Sequence, residues 1–305
     1  MLGADPTIDQ VQLNFSEDSL WLLNMCLGFI MYGVALELKP SHFKTFVTAP
    51  LPVFVGVFSQ FLLLPALTFL ICIILKPHPS MALGLMLVAA CPGGNVSNFI
   101  SLQANGNAAL SVALTAISTS LSVVMTPLNF TFWGGLYEPS AVLLTSIDIN
   151  GWGIFKSISI LLGIPLLLGM LTNHYRPNFT KSISKGVRLT SILIFAGFVI
   201  IAFVKNTGIF LEYISVIALL VLLHNAVALA GGYGVARIAG LAQPDRRSIA
   251  IETGIQNSGL ALVIIFNFFD GLGGMAIIAG WWGIWHIVSG MVMAKTWSRL
   301  KPLAA

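Results

Sequence analysis

Glu252 is the one carboxylate that lies deep within an apolar stretch; Glu37, Glu138, Asp148, Glu212, Asp245 and Asp270 fall at the ends of such stretches or between them. It opens the run ETGIQNSG, which is rich in carbonyl and amide oxygens. A second polar run, CPGGNVSN, carries Ser97 and Asn98, and Ser111 and Thr115 follow it. Ser111 and Thr115 are four residues apart, hence on one face of a helix, and Ser118 and Ser122 continue that stripe. Hydroxyl, amide and carbonyl oxygens around one carboxylate form a low-charge set that suits a small, hard, monovalent cation. Calcium or magnesium would call for more carboxylates, and zinc for His or Cys. A carboxylate inside a bilayer costs several kcal/mol unless it is paired, which makes Glu252 a candidate functional residue. The competing reading puts it at a helix end close to Arg246 and Arg247. Serines on helix faces are commonly packing residues, and the stripe alone would read that way. Beside two polar breaks and a glutamate it does not.

Both polar runs interrupt segments that otherwise look like membrane helices. Met81 to Ala90 precedes the first run and Val112 to Leu128 follows it. Pro92 lacks an amide hydrogen, and Gly93 and Gly94 give up the most backbone entropy on ordering, so the helix must unwind there. Unwound backbone at membrane depth is tolerated only where it is buried in protein or lines a cavity. The rest of the chain is therefore expected to bring the two breaks together.

The composition fixes the class. Of 305 residues, 57% are hydrophobic and 9% charged, against about 25% charged in a soluble domain; the mean hydropathy is +0.92. An all-α polytopic membrane protein follows. On a ruler of about 20 apolar residues per span, nine spans are predicted: 20–38, 51–75, 80–104 (broken), 107–133, 152–173, 186–205, 210–239, 247–270 (broken) and 273–296. With the N-terminus outside, the cytoplasmic segments hold twelve of the 15 basic residues: Lys39, Lys44, Arg176, Lys181, Lys185, Arg188, Arg237, Arg246, Arg247, Lys295, Arg299 and Lys301. Only Lys76, Lys156 and Lys205 remain outside, the asymmetry that the positive-inside rule demands. Spans 1–4 match spans 6–9 in layout, with opposite orientation. Interrupted helices at corresponding positions of an inverted repeat point to a transporter's binding site.

Cys26, Cys72 and Cys91 all sit in apolar segments, an odd set that argues against a disulfide framework. The net charge of +4 reports orientation and calls for no nucleic-acid partner. The first nineteen residues hold Asp5, Asp9, Glu17 and Asp18 and no Lys or Arg, which is not a signal-peptide pattern. No GxxxxGK[ST] motif is present, so no ATP hydrolysis is expected. The lean chain suggests a bacterial inner membrane, and a monomer is expected. Trp281, Trp282, Trp285 and Trp297 read mostly as interfacial anchors. Asn14, Asn129 and Asn178 each open a glycosylation-like triplet, of which Asn14 is the one clearly outside.

CPGGNVSNFISLQANGNAALSVALTAIST, SQFLLLP around Gln60, VLLHN at 221–225, IETGIQNSGLAL at 251–262 and WHIVSG at 285–290 resemble the bile acid:sodium symporter family over nearly the whole chain. The resemblance implies a core domain (51–133 and 210–296) in which the broken helices cross, and a panel domain (20–50 and 152–205). Segment 1–19 would be external and 297–305 a cytoplasmic tail. It implies two sodium ions. One would be held by Ser97, Asn98, Ser111, Thr115 and Glu252, and the other by Gln60, Glu252, Thr253, Ile255 and Gln256, with Thr253 and Ile255 giving backbone carbonyls. It implies an organic anion, a bile-acid-like amphipath or a small carboxylate, facing Asn95, Asn257 and His286. Asn95 follows the pattern of the animal members and Ile287 departs from the His-Asn pair of some relatives, so both bear on substrate choice. His286 and His224 also read as hydrogen-bonded packing residues.

Sodium-coupled symport by alternating access, with no enzymatic activity, is the function that the resemblance implies. The alternative is a proton-coupled organic-acid carrier that uses Glu252 as its protonatable group. A channel would want rings of like groups, and a hydrolase a nucleophile–base pair; neither pattern is present in the sequence.

Overall fold

The computed structural model describes residues 8–9, 17–36, 38, 40–146, 151–205 and 207–299. Most of segment 1–19, including Asn14, and the end of the 297–305 tail lie outside the described residues, as do Lys39 and Lys301. Among the described residues the chain is all-helical. In order, the elements are α1 (Glu17–Leu36), α2 (Pro40–Thr48), α3 (Pro50–Phe58), a π-helical turn (Ser59–Leu63), α4 (Leu64–Leu75), α5 (Pro79–Ala90), α6 (Val96–Gln103) and α7 (Ala108–Leu136). There follow α8 (Glu138–Ser146), α9 (Gly151–Tyr175), α10 (Pro177–Lys205), α11 (Thr207–Ile238), α12 (Gln243–Gly254), α13 (Ser258–Phe268) and α14 (Gly273–Arg299).

Among the described residues, five helical stretches are long and apolar enough to cross a membrane: Pro50–Leu75, Ala108–Leu136, Phe155–Tyr175, Phe210–Ile238 and Gly273–Arg299. The two predicted breaks are present and separate α5 from α6 and α12 from α13, of which α5 and α13 are short apolar helices. α5 is apolar all round and every residue from Ser80 to Ala90 is buried, as expected of a helix enclosed by others. It packs against α14, α7 and α4, while α12 packs against α11, α6 and α7. α1, α9 and α10 pack on one another, and this group meets the others where α9 lies on α7 and α1 on α13.

Local chemistry explains several boundaries. Pro65 cannot donate an amide hydrogen, and the turn before it relaxes to a π-helical bond from Leu64 N to Ser59 O, a distortion common at functional sites. Asn107 caps α7 by accepting from Leu110 N (3.1 Å) and donates from Nδ2 to Asp245 Oδ1 (2.8 Å), tying that corner to the start of α12. Gly240, at φ +72°, turns the chain between α11 and α12.

Three expectations need correction. Segments 40–48 and 138–146, read as connections, form the short helices α2 and α8, each packed on α7. Trp282 is no interfacial anchor: it is fully buried, with its ring 4.6 Å from that of His224. Arg247, placed in a cytoplasmic loop by charge asymmetry, is 1% exposed. It donates from Nη1 to Ala104 O (2.8 Å) at the end of α6, and its guanidinium lies over Trp297.

Candidate functional site

The two breaks cross and satisfy each other's backbone. Gly93 and Gln256 form an isolated antiparallel bridge, with Gly94 N donating to Ile255 O (2.8 Å) and Asn257 N to Pro92 O (2.9 Å). Cys91 and Ile255, which end α5 and α12, are both extended. Helix breaks buried in an apolar interior need partners for the freed amides and carbonyls; here each break supplies the other's.

Glu252 stands in the last turn of α12, 2% exposed, and its side chain reaches over the crossing. Ser97 donates to Oε2 (2.6 Å), Thr115 lies 2.8 Å from Oε1 and Ser111 lies 3.4 Å from Oε2. Asn98 Oδ1 lies 3.0 Å from the Ser111 hydroxyl and 3.1 Å from that of Thr115. Ser97 and Thr115 are 3.3 Å apart, and Thr115 also meets Ser111 O at 3.1 Å. The structure therefore brings together all five residues of the first expected set. Three hydroxyls carry three protons, and these seven close oxygen–oxygen contacts need more. Among the described residues the only ion pair is His78–Asp9, 3.9 Å, far in sequence from the cluster, so no basic side chain balances Glu252. A buried carboxylate in a proton-poor oxygen cluster, with no basic side chain paired to it, is chemically arranged for a cation.

Ser118 and Ser122 do not join this cluster. Each turns back onto its own helix, Ser118 to Thr115 O (3.2 Å) and Ser122 to Thr119 O (2.7 Å).

Gln60, Thr253, Ile255 and Gln256 are gathered under the crossing, all at most 1% exposed. Gln60 Nε2 donates to Gln256 Oε1 (2.9 Å) and to Cys91 O (2.8 Å). Gln256 Nε2 returns a bond to Gln60 Oε1 (3.1 Å) and another to Thr253 O (2.7 Å). Among the described residues no hydrogen bond joins this set to the Glu252 carboxylate, whose partners are Ser97, Ser111 and Thr115.

Two residues that hold this architecture carried no assigned role in the sequence. Ser59, in the π-helical turn, lies 2.8 Å from Thr253 Oγ1. Asn225 on α11 donates to Gly254 O (2.7 Å) and accepts from Ser289 of α14 (2.6 Å), pinning the carbonyl beside the break. Asn225 stands in the quoted VLLHN, but its role depends on a helix pairing that spacing does not reveal. Asn225→Ala leaves the buried Gly254 carbonyl without that partner, and a loss of about 1–3 kcal/mol is expected. A melting temperature equal to that of the parent protein would show that the bond is dispensable.

Two cavities meet at Asn95. The smaller, of about 250 Å³, is lined by Asn95, Asn257 and His286, with Met31 and Val34 of α1 opposite. The N-termini of both half-helices, α6 and α13, face it. Asn257 spends its side-chain oxygen capping Leu260 N (3.0 Å), whereas Asn95 makes no such cap. His286 is buried, and its Nδ1 has no hydrogen-bond partner among the described residues. His224 instead sits in the packing, 2.6 Å from Thr68 Oγ1. The larger cavity, of about 1220 Å³, runs from Asn95 and Asn98 to His174 and Lys181 at the α9–α10 connection.

The profile of the sodium bile acid symporter family matches residues 24–213. An uncharacterized sodium-dependent transporter of Bacillus subtilis, YocS, is 32% identical over 295 residues, covering 94% of this chain and 88% of that protein. A probable chloroplastic sodium/metabolite cotransporter of rice is 33% identical over 253 residues, 81% of this chain and 57% of that protein. The human ileal sodium/bile acid cotransporter is 29% identical over 249 residues, 80% of this chain and 68% of that protein. With well over half its length matched by the profile and a relative aligned almost end to end, the chain belongs to the sodium bile acid symporter family, a family of sodium-dependent membrane transporters.

Proposed function

We propose that the protein is a symporter in which sodium bound at the crossing of α5/α6 with α12/α13 drives an organic anion through the membrane by alternating access. One observation carries this reading: Glu252 is buried among Ser97, Asn98, Ser111 and Thr115 with more oxygen contacts than protons and no ion-pair partner among the described residues. In that place a sodium ion supplies the missing positive charge and takes the surplus lone pairs. A second ion would sit among Gln60, Glu252, Gln256 and the carbonyls of Thr253 and Ile255. It requires the Gln60–Gln256 pair to open, so occupancy of this site would change the crossing itself.

The anion would occupy the cavity lined by Asn95, Asn257 and His286. Two half-helix N-termini give it a partial positive field, and Asn95 and His286 bring polar side chains to its wall. The larger cavity, flanked by Lys181, would be the route to the cytoplasm and able to admit either a small carboxylate or a bulkier amphipath.

Nine spans with the N-terminus outside fit the distribution of the basic residues. The mutual packing of α1, α9 and α10 supports a panel (20–50 and 152–205) that rocks against a core (51–133 and 210–296) along the α9–α7 and α1–α13 contacts. Two sodium ions with a monovalent anion would carry one net charge inward, driven by about 2.3 kcal/mol per 100 mV.

The experiment is uptake of a panel of organic anions into proteoliposomes under an inward sodium gradient, against a proton gradient alone. Sodium-dependent uptake of at least one anion is expected. Uptake driven by protons and indifferent to sodium would move the coupling ion to a proton on Glu252. Thr115→Val, which keeps the shape and removes one ligand oxygen, is expected to raise the sodium concentration for half-maximal uptake roughly tenfold. An unchanged sodium dependence would exclude Thr115 from the ion's shell.

A further inference from the structure

We propose a binding site for an anionic phospholipid in the groove between α11 and α14, on the outer face of these helices. The groove has a volume of about 590 Å³, and its walls are the stripe Leu222, Ala226, Leu229 and Tyr233 of α11 with Trp285, Val288, Val292 and Thr296 of α14. Both helices are among those able to span a membrane, so the medium over this face is lipid. From Leu222 to Tyr233, and from Trp285 to Trp297, the helical rise makes the groove about 17 Å long, close to the reach of one acyl chain.

Charge selects the headgroup. Beyond the groove, Arg237 follows Tyr233 by four residues on α11 and Arg299 follows Thr296 by three on α14, each about one helical turn further along. Both arginines are exposed, as is Lys295 on the same final turns of α14. Tyr233 and Trp297, with rings 5.7 Å apart, mark the level at which the apolar groove gives way to these cations. An apolar slot closed by an aromatic pair and followed by exposed arginines complements an acyl chain that ends in a negatively charged headgroup.

The groove also touches the crossing. Asn225 and Ser289 line its floor, and Asn225 is the residue that holds Gly254 O beside Glu252. A chain seated there presses on the pair that positions the break.

Native mass spectrometry in sodium-free potassium buffer, with added dioleoylphosphatidylglycerol or dioleoylphosphatidylcholine, tests the site independently of sodium coupling. The unaltered protein is expected to retain phosphatidylglycerol in preference to phosphatidylcholine. The double variant Arg237→Gln/Arg299→Gln should lower that preference roughly tenfold, and Ala230→Trp, which fills the groove, should lower retention of both lipids. Equal retention of the two lipids by the unaltered protein, or a preference that survives the double variant, would overturn the proposal. So would retention unchanged by Ala230→Trp in a protein whose melting temperature is preserved.

Discussion

Glu252→Gln is expected to abolish specific binding of radiolabelled sodium while leaving a folded protein. Glutamine has the shape of glutamate and can still engage Ser97, Ser111 and Thr115, so the packing of α12 against α6 and α7 need not change. What disappears is the only formal negative charge in the cluster. A buried ion stripped of its countercharge loses about 3–5 kcal/mol, more than a hundredfold in affinity. The variant also removes a carboxylate that, without sodium, is buried and has no ion-pair partner among the described residues. In sodium-free buffer it should therefore melt no lower than the parent protein. Radiolabelled sodium retained with unchanged affinity by the variant would place the ion elsewhere.

Gly93→Ala is expected to damage the crossing and the carboxylate site together. A Cβ at position 93 would lie 2.8 Å from Glu252 Cδ and press still harder on Oε1. Those atoms are held by the hydroxyls of α6 and α7, and Gly93 itself is fixed by its bridge to Gln256. Either the carboxylate leaves its cluster or the two breaks part. Overpacking of this kind costs about 1–3 kcal/mol, and the sodium response should vanish with it. Gly135, on α7, has nothing within 4 Å of the corresponding position, so Gly135→Ala should change stability by less than about 0.5 kcal/mol. Side-by-side melting curves of the two variants check the contrast. Similar curves would mean that the close approach at Gly93 is not limiting.

The breaks themselves were legible because they rest on local chemistry. Pro92, Gly93 and Gly94 cannot continue a helix, and ETGIQNSG is too polar for its surroundings. The convergence on Glu252 was legible for the same reason: Ser111 and Thr115 share a helix face, and Ser97 and Asn98 follow directly on a break. Ser118 and Ser122 continue the same spacing but bond to carbonyls of their own helix. Periodicity gives the face of a hydroxyl and not its partner. Asn225, Ser59 and the burial of Trp282 depend on which helices meet, and those contacts join residues far apart in sequence. The helices at 40–48 and 138–146 are too short for a hydropathy ruler set to membrane thickness. Arg247 shows the limit of charge asymmetry, since its guanidinium is drawn inward to the open carbonyl of Ala104 and the face of Trp297.

Thermal stability of the purified protein in sodium chloride against potassium chloride, at equal ionic strength, tests the central claim most directly. A ligand at 100 times its dissociation constant adds about 2.7 kcal/mol to the folded state, a shift of several degrees. A saturable rise in melting temperature with sodium and none with potassium is expected, because the proposed ion sites converge on Glu252. Equal curves in the two salts would contradict it.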